Sequence, residues 1–599
     1  MCGFLGSIGV DEVSEQSIKD ANKYIECRGP DETVFKNLTD SRFNFKNTDY
    51  QHLQIFNRLS IIDLTNLGSQ PMFSDENSTS ILFNGEIFNH KELRAEMESE
   101  GLVFKSNNSD TEVLLLGFSK YGKGFINRVI GQFSIVFFDY KKNLIFLIRD
   151  RLGQKPLFYS FQGESLVFGS NLKSLVNLTD NRKINQNSIS EYLNIGVVTS
   201  PNTIFENIYK VKPAEIIEFH ISNIISKKSS EVYWNIEDFV DNKEFDESHF
   251  KDLLSDSVRL RNIADVPVAC FLSGGIDSST IVKLLTESGE SVNTFSISYE
   301  DSKYDEKQWF EQVKEKYKTN HTTETVAKNI DIDHIMESIE IFDEPYSDPS
   351  NFPSYMISKK ISEKYKAAIS GDGGDELVGG YERVNKILNR KKQFNFLRYF
   401  YKIYPNFLGT GNIFHRNSSD ISEAYNSFFW DRKFLSILGI KDYKPSDYFQ
   451  NISKDLYKNL LISDYKLYLS EMMTLKVDRT SMANSLEVRS PFIDHRLIEY
   501  ILSTKPSYVD YGIPKKIFKE YLSEDFDSEF INREKMGFVF NLEEWIYSNK
   551  DKVFSELKNG NLSKIIKIEK INLLLLNKSR INANRIWKLY LLEKYLSLT

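Results

Sequence analysis

The chain carries two different hydrophobic patterns, one in each half. In the first third, short apolar runs such as 132–139 are separated by turn residues, which is typical of β-strands. From Asp246 onward, strand patterns alternate with helical patterns, which is typical of a doubly wound parallel sheet. The patterns predict a strand-rich α+β domain over residues 1–210, a junction over 211–245 and an α/β domain over 246–599.

An apolar run in the second domain ends abruptly in small polar residues. Residues 266–272 predict a strand and the apolar positions after 275 predict a helix, so the loop between them lies at a helix N-terminus. Glycines leave backbone N–H groups accessible there, and the helix dipole favours an anion, so this phosphate loop could hold a polyphosphate. Its residues are Ser273, Gly274, Gly275, Asp277, Ser278 and Ser279. The simpler alternative is a glycine-rich connection without a ligand.

A second glycine-rich turn, 371–381, follows a predicted strand at 367–370 and is acidic. The carboxyl ends of neighbouring parallel strands meet at one edge of a sheet, so both turns should open onto one cleft. A carboxylate repels phosphate unless a cation lies between them. We therefore predict that Asp277 and Asp375 hold Mg²⁺ against a pyrophosphate group. The spacing does not match the EF-hand calcium loop.

Cys2 stands in a predicted N-terminal strand. Removal of Met1 would give it a free α-amine, whose pKa of about 7.7 allows that amine to accept the thiol proton. One residue would then supply both a nucleophile and its base. The alternative is an incidental buried cysteine, since cysteine is among the most buried residue types.

Polar residues interrupt an apolar strand pattern at 81–89. The side-chain amide of Asn84 and the N–H of Gly85 are the donors that an oxyanion hole needs. Arg58 offers a fork for a carboxylate, and Asp110 offers an anion for an ammonium group. Together these groups would recognise a free amino acid. The alternatives are a surface ion for Arg58 and a helix N-cap for Asp110.

Composition excludes several classes of function. The net charge of −8 over 599 residues gives no electrostatic basis for nucleic-acid binding. The sparse cysteines, Cys2, Cys27 and Cys270, cannot build a disulfide framework, which favours a reducing compartment. The N-terminus lacks a signal-peptide pattern and no apolar window reaches the length of a membrane span. We therefore expect a cytoplasmic protein without an integral membrane segment.

Residues 386–470 are rich in Tyr, Phe and Lys and predict amphipathic helices. Ordinary helix packing is the simpler interpretation of 394–407, and a role at a membrane surface is the alternative. The tail over 562–598 predicts one or two capping helices.

The order of these motifs resembles the glutamine-hydrolysing asparagine synthetase B family. The motifs are Cys2-Gly3, Arg58-Leu-Ser-Ile-Ile, Asn84-Gly-Glu, Asp110, Arg149-Asp-Arg-Leu-Gly and Ser273-Gly-Gly-Ile-Asp-Ser, and the resemblance continues to Lys535. It implies an α+β N-terminal-nucleophile glutaminase, an αββα sandwich, followed by an α/β doubly wound parallel-sheet domain of the ATP pyrophosphatase type with helical C-terminal additions.

The resemblance also implies roles for individual residues. Those with implied catalytic roles are Cys2, Asn84, Gly85, Asp372 and Lys535. Those implied to bind glutamine are Arg58, Leu59, Ser60, Ile61, Ile62, Asn84, Gly85, Glu86 and Asp110. Those implied to bind ATP are Leu272, Ser273, Gly274, Gly275, Asp277, Ser278, Ser279, Ile297, Ser370 and Gly371, with Mg²⁺ on Asp277 and Asp375.

The implied activity is glutamine-dependent asparagine synthesis from glutamine, ATP and aspartate, and the family allows a homodimer. Asparagine synthetases often carry Glu where this chain has Asp372, so amidation of another carboxylate, such as a sugar uronate of a surface polysaccharide, stays open. The alternative of a different class is a non-catalytic glutamine or nucleotide sensor. The presence of Cys2 argues against it, because a binding protein needs no nucleophile.

Overall fold

The computed structural model describes residues 2–10, 13–39, 50–222, 225–299, 305–326, 332–390, 397–440, 443–509, 513–533, 541–567 and 571–598. Its strands are β1 (Gly3–Gly9), β2 (Glu32–Asn37), β3 (Gln51–Arg58), β4 (Met72–Phe73), β5 (Thr79–Ile87), β6 (Gly131–Asp139), β7 (Leu144–Arg149), β8 (Phe158–Gln162), β9 (Ser165–Gly169), β10 (Ile208–Lys210), β11 (Glu215–Ile221), β12 (Ile225–Val232), β13 (Val268–Phe271), β14 (Asn293–Tyr299), β15 (Asn320–Val326), β16 (Ala367–Ile369) and β17 (Glu487–Arg489).

The α-helices of the first half are α1 (Glu15–Ala21), α2 (His90–Ser99), α3 (Asp110–Tyr121), α4 (Leu172–Thr179) and α5 (Gln186–Ile195). Those of the second half, up to residue 463, are α6 (Glu247–Asn262), α7 (Ile276–Glu287), α8 (Lys307–Tyr317), α9 (Ile332–Glu340), α10 (Asn351–Ser362), α11 (Gly374–Leu377), α12 (Glu382–Leu388), α13 (Leu397–Ile403), α14 (Ile413–Arg416), α15 (Ile421–Asn426), α16 (Arg432–Ile437) and α17 (Leu456–Ser463). The remaining ones are α18 (Thr474–Met482), α19 (His495–Ser503), α20 (Lys516–Leu522), α21 (Ser528–Asn532), α22 (Leu542–Ser548), α23 (Lys550–Asn559), α24 (Ile571–Leu576) and α25 (Arg580–Leu598).

Two antiparallel sheets form the N-terminal half, with strand orders β10-β8-β9-β1-β3-β2 and β12-β11-β7-β6-β5-β4. Phe4 and Phe56 of the first sheet pack against Val136 and Phe138 of the second, because alternate residues of each strand point into the space between the sheets. Helices α1, α4 and α5 cover one outer face, and α2 and α3 cover the other. The predicted αββα sandwich is confirmed. Strands β11 and β12 extend its second sheet from within residues 211–245.

The second half is built on a parallel sheet of order β15-β14-β13-β16-β17. Strand β13 lies between β14 and β16, so the loops that follow β13 and β16 leave the same edge of the sheet, where ligands bind in such folds. The predicted doubly wound α/β domain is confirmed. C-terminal helices add to it, with Trp587 and Tyr590 of α25 buried against α22 and α24.

A continuous helical segment of the second half reaches the boundary with the first half. Helix α17 continues through a π-helix, Asp464–Met473, into α18. This route buries Asp478 and Arg479 at the boundary with the N-terminal half. Among the described residues, no helix has the length and apolar content that a membrane span requires.

Candidate active sites

Cys2 lies immediately before β1, which is a central strand of the first sheet. Its backbone nitrogen donates to Asn84 Oδ1 at 3.2 Å, and its carbonyl accepts from Arg28 Nε at 3.1 Å. Burial raises the pKa of the Cys2 thiol, while the Leu59 backbone N–H and the charge of Arg58 act in the opposite direction.

The predicted oxyanion donors lie beside Cys2 on β5. Asn84 is fully buried, and its amide nitrogen donates to Ser134 Oγ at 3.4 Å. A Cβ at Gly85 would overlap the carbonyl oxygen of Gln132 on β6, so only glycine fits this strand position. The structure thus brings Cys2, Asn84 and Gly85 together.

The predicted amino-acid contacts are partly engaged by the protein itself. Arg58 donates to the carbonyl of Thr65 at 2.7 Å and also to that of Asp63, which fixes its guanidinium. Asp110 accepts from the Ile87 backbone N–H at 3.1 Å, and burial raises its carboxyl pKa. Ser109 caps helix α3, so the N-cap alternative for Asp110 is wrong.

Glu86 points across the boundary between the halves. Its Oε2 accepts from Arg489 at 3.0 Å. Burial raises the Glu86 pKa well above its ordinary value, although Arg489 opposes this shift. The loop after β3 also reaches the second half, since Leu59, Ile61 and Ile62 pack with Ala367 and Met482. Ser60 is held by its N–H donating to Asp31 at 2.7 Å.

The phosphate loop has the predicted strand–loop–helix geometry. Gly274 has φ +77°, and a Cβ there would approach the Phe310 nitrogen to 2.6 Å. Ser273 Oγ accepts from the Gly275 N–H at 3.1 Å, which folds the loop over the start of α7. Ser279 Oγ is buried and has no hydrogen-bond partner among the described residues. An anion above this loop would meet the first N–H groups of α7.

The second glycine-rich turn lies directly against the phosphate loop. A Cβ at Gly371 would approach the Ser278 nitrogen to 2.9 Å, so the two turns share one cleft. The backbone N–H of Ser370 donates to the backbone carbonyl of Arg489 at 2.9 Å. Ile297 is buried on β14, which pairs with the edge of β13 opposite to β16. Leu272 is fully buried and donates to the Phe295 carbonyl at 2.8 Å.

Lys515 lies between the two carboxylates predicted to hold Mg²⁺. Its ammonium contacts Asp375 at 2.8 Å and also pairs with Asp277. Burial acts to lower the Lys515 pKa, but the two carboxylates outweigh it and raise the pKa above its ordinary value. The sequence-based prediction missed this residue, because a lysine after Pro514 carries no motif signal.

The carboxylate pair fits a divalent cation. Its hard oxygen donors suit Mg²⁺, which takes one or two protein carboxylates and completes its shell with phosphates and water. Within the described ranges, no group of three or more His, Cys, Asp or Glu side chains forms a metal site. Phosphate oxygens would therefore have to supply part of the coordination between Asp277 and Asp375.

Asp372 lines a small, partly open cavity between the halves. Ser370 Oγ donates to Asp372 Oδ2 at 2.8 Å and lies 2.9 Å from Ser490 Oγ. The opposite wall of the cavity includes Gln132, whose carbonyl neighbours Gly85. The cavity therefore lies between the nucleophile side of one half and the acidic turn of the other.

Lys535 lies outside the described residues. Arg533, two positions before it in the sequence, donates to the Gly274 carbonyl, so the described chain reaches the phosphate loop at Arg533.

Comparisons with known proteins agree with this two-part organisation. Residues 249–597 match the family described as asparagine synthase, and residues 1–234 match the glutamine amidotransferase domain. The chain is 27% identical over 573 residues to asparagine synthetase (glutamine-hydrolyzing) 1 of Bacillus subtilis, which covers 91% of this chain and 88% of the relative. It is 35% identical over 406 residues to a putative asparagine synthetase (glutamine-hydrolyzing) 2 of Methanocaldococcus jannaschii, which covers 64% and 76% of the two chains.

A further relative carries a different printed name. Amidase chry2 of Gibberella zeae is 24% identical over 525 residues, covering 77% of this chain and 76% of the relative. The asparagine synthase match alone spans more than half of the 599 residues. The chain therefore belongs to the asparagine synthase family, whose members use ATP, and it is a glutamine-dependent amidotransferase of that family.

Proposed function

We propose that the protein is a glutamine-hydrolysing asparagine synthetase. It would release ammonia from glutamine at Cys2, adenylate aspartate with ATP, and combine the two to give asparagine, AMP and pyrophosphate. The observation that supports this most is that Asp372 and Gln132, whose carbonyl neighbours Gly85, line the same small cavity, which brings the two proposed chemistries close together.

Glutamine hydrolysis follows from the groups around Cys2. After removal of Met1, the Cys2 nitrogen would become an α-amine that Asn84 Oδ1 already orients, and this amine would accept the thiol proton. The thiolate would attack the glutamine side-chain amide, and the amide N–H of Asn84 with the backbone N–H of Gly85 would stabilise the oxyanion. The resulting thioester is hydrolysed by water.

The amino-acid end of glutamine would lie near Arg58, Glu86 and Asp110. Arg58 supplies the positive charge for the α-carboxylate, and the two buried acids supply negative charge for the α-ammonium group. Since burial raises the pKa of both acids, a bound ammonium would favour their ionised forms.

Adenylation would take place where the two glycine-rich turns meet. The N–H groups at the start of α7 and the hydroxyl of Ser279 would hold the phosphates of ATP. Mg²⁺ on Asp277 and Asp375 would supply charge neutralisation for the pyrophosphate leaving group. Lys515 would donate hydrogen bonds to the phosphate oxygens, on which negative charge builds. Lys535 keeps its implied role in the same charge neutralisation.

The cavity that Asp372 faces would carry ammonia between the sites. Ammonia in bulk water at neutral pH is mostly protonated and is then not a nucleophile, so the transfer needs a shielded route. Gln132 donates to the Val488 carbonyl at 3.3 Å, which is a contact between the two halves at the wall of this cavity. Asp372 stands at the end where the acyl-adenylate would form.

The second candidate is amidation of a different carboxylate, such as a sugar uronate. Two observations favour keeping it: Asp372 stands where asparagine synthetases often have Glu, and a relative is named an amidase. The test is pyrophosphate release by the purified enzyme with ATP and single candidate acids. Release with aspartate supports asparagine synthesis, while release with a uronate and not with aspartate supports the second candidate. A protein that releases no pyrophosphate with any acid would be the sensor.

We further propose a cytoplasmic enzyme with a homodimeric arrangement. Its domains would be 1–210 and 246–599, and the segment 211–245 between them contributes β11 and β12 to the second sheet of the first domain. The cytoplasmic assignment rests on the need for a reduced Cys2 and for ATP.

A further inference from the structure

The surface formed by residues 399–413 and 573–581, here called the aromatic–basic patch, is one continuous region. Asn577 donates its side-chain amide to the Phe407 carbonyl at 2.9 Å, which joins the two segments. Arg585 reinforces the junction by donating to the Asn406 carbonyl at 2.9 Å and to the Gly409 carbonyl at 3.1 Å. The patch belongs to helices α13, α14, α24 and the start of α25, and none of its residues belongs to either proposed active site.

Large apolar side chains are concentrated on this patch. The side chain of Leu576 is 82% exposed, that of Ile403 75% and that of Ile413 62%. More than half of the large apolar side chains that the described residues expose lie in these two segments, with Tyr399 and Phe400 among them. Scattered exposed apolar residues are normal, but a contiguous group of this kind marks an interaction surface.

The charge on the patch is opposite to that of the whole protein. Lys402, Lys578 and Arg580 are exposed there. The sequence contains no Asp or Glu between Glu382 and Asp420, and none between Glu569 and Glu593, although the whole chain has a net charge of −8. The partner of this surface should therefore be negatively charged and apolar beneath its charges.

We propose that the aromatic–basic patch docks on an anionic lipid membrane. Lipid headgroups pair with the Lys and Arg side chains, Tyr399 and Phe400 suit the headgroup region, and the aliphatic side chains enter the acyl boundary. Two other occupants fit less well. A symmetric contact with a second copy would place the same basic groups against each other. Nucleic acid offers no counterpart for Ile403, Ile413 and Leu576.

This inference goes beyond the proposed reaction, because it concerns where the enzyme lies and not what it catalyses. Docking would leave both active sites in the body of the protein. It predicts salt-sensitive, reversible attachment, since the electrostatic part of such binding is screened by ions.

The test is sedimentation of the full chain with phosphatidylcholine vesicles, with and without about one-third phosphatidylglycerol. The wild type should sediment with the anionic vesicles at least about tenfold more strongly than with the neutral ones. The double substitution Ile403→Glu, Leu576→Glu and the double substitution Lys402→Glu, Lys578→Glu should each weaken anionic binding by about tenfold or more. Val103→Glu is the matched control, because Val103 is 83% exposed and lies outside the patch; it should bind as the wild type does.

Pyrophosphate release by every variant checks that the fold is retained. The proposal is overturned if the folded wild type does not sediment with anionic vesicles, or if both patch variants bind as well as Val103→Glu. It is also overturned if light scattering without vesicles shows an oligomer that Leu576→Glu dissociates, since the patch would then be a contact between copies.

Discussion

Arg28 binds Asp478 through two hydrogen bonds of 2.9 Å each, although 450 positions separate the two residues in the sequence. Both side chains are almost completely buried. Arg28 also donates to the carbonyl of Cys2, so this pair fixes the proposed nucleophile to helix α18 of the second half. The two halves of the protein are thus joined by a buried ion pair and not only by a connecting segment.

Asp478→Ala should destabilise the protein by about 3–5 kcal/mol, because the buried Arg28 charge loses its partner. Calorimetry of thermal unfolding measures this. Glu100→Ala is the control, since it removes the 2.6 Å pair with Lys120 at an exposed site and should shift the transition far less. Equal shifts in the two variants would contradict the structural role of the buried pair.

Gly85→Ala should lower glutamine hydrolysis by about 10²–10³-fold, because the added Cβ displaces an oxyanion donor on β5. Synthesis from ammonium salts should be retained. Gly124→Ala is the matched control, since a Cβ there meets nothing within 4 Å. Steady-state glutaminase assays compare the two variants, and a Gly85→Ala enzyme with normal glutaminase activity would remove Gly85 from the site.

Lys515→Met should reduce pyrophosphate release by about 10²-fold or more while leaving glutamine hydrolysis intact, because it removes the ammonium beside Asp277 and Asp375 that would neutralise charge on the phosphates. Lys516→Met is the control on the neighbouring residue, whose ammonium pairs only loosely with Glu520 at 3.7 Å. The two substitutions remove the same side chain one position apart. If both variants release pyrophosphate equally, Lys515 has no role in the chemistry.

Much of the fold follows from hydrophobic periodicity. The strand predicted at 132–139 is β6, which begins one residue earlier, and the strand predicted at 367–370 is β16, which is one residue shorter. The two glycine-rich turns meet as predicted, because parallel strands bring their carboxyl ends to one edge. Strand β12 was not predicted. It is an exposed edge strand, and its lysines Lys227 and Lys228 are typical of a polar linker in the sequence.

The charged partners across the two halves could not be predicted. Arg489 binds Glu86, and Arg28 binds Asp478, through contacts that only the tertiary structure creates. A single sequence offers the residues but not their pairing. The position of Lys515 between two acids was hidden for the same reason.

Lys155 should make stability depend on pH in the alkaline range. Burial lowers the pKa of its ammonium from 10.5 to about 8, against the opposing charge of Asp478. Above pH 8 the folded state has released this proton while the unfolded state keeps it up to about pH 10.5, so stability gains with rising pH in that window.

The wild type should therefore become more stable relative to Lys155→Met as the pH rises from 8 towards 10. Thermal midpoints of both proteins across this range measure the difference. If the difference between the two midpoints stays constant, or if the wild type loses stability relative to Lys155→Met as the pH rises, the pKa of Lys155 is not lowered by burial.

The most direct test of the two-site account is amide formation by Cys2→Ala with glutamine or with an ammonium salt as the nitrogen source. The account predicts that glutamine-dependent synthesis is lost, because the nucleophile is gone, while ammonium-dependent synthesis continues at close to the wild-type rate. Loss of both activities in a folded Cys2→Ala protein, or retention of glutamine-dependent synthesis, would contradict it.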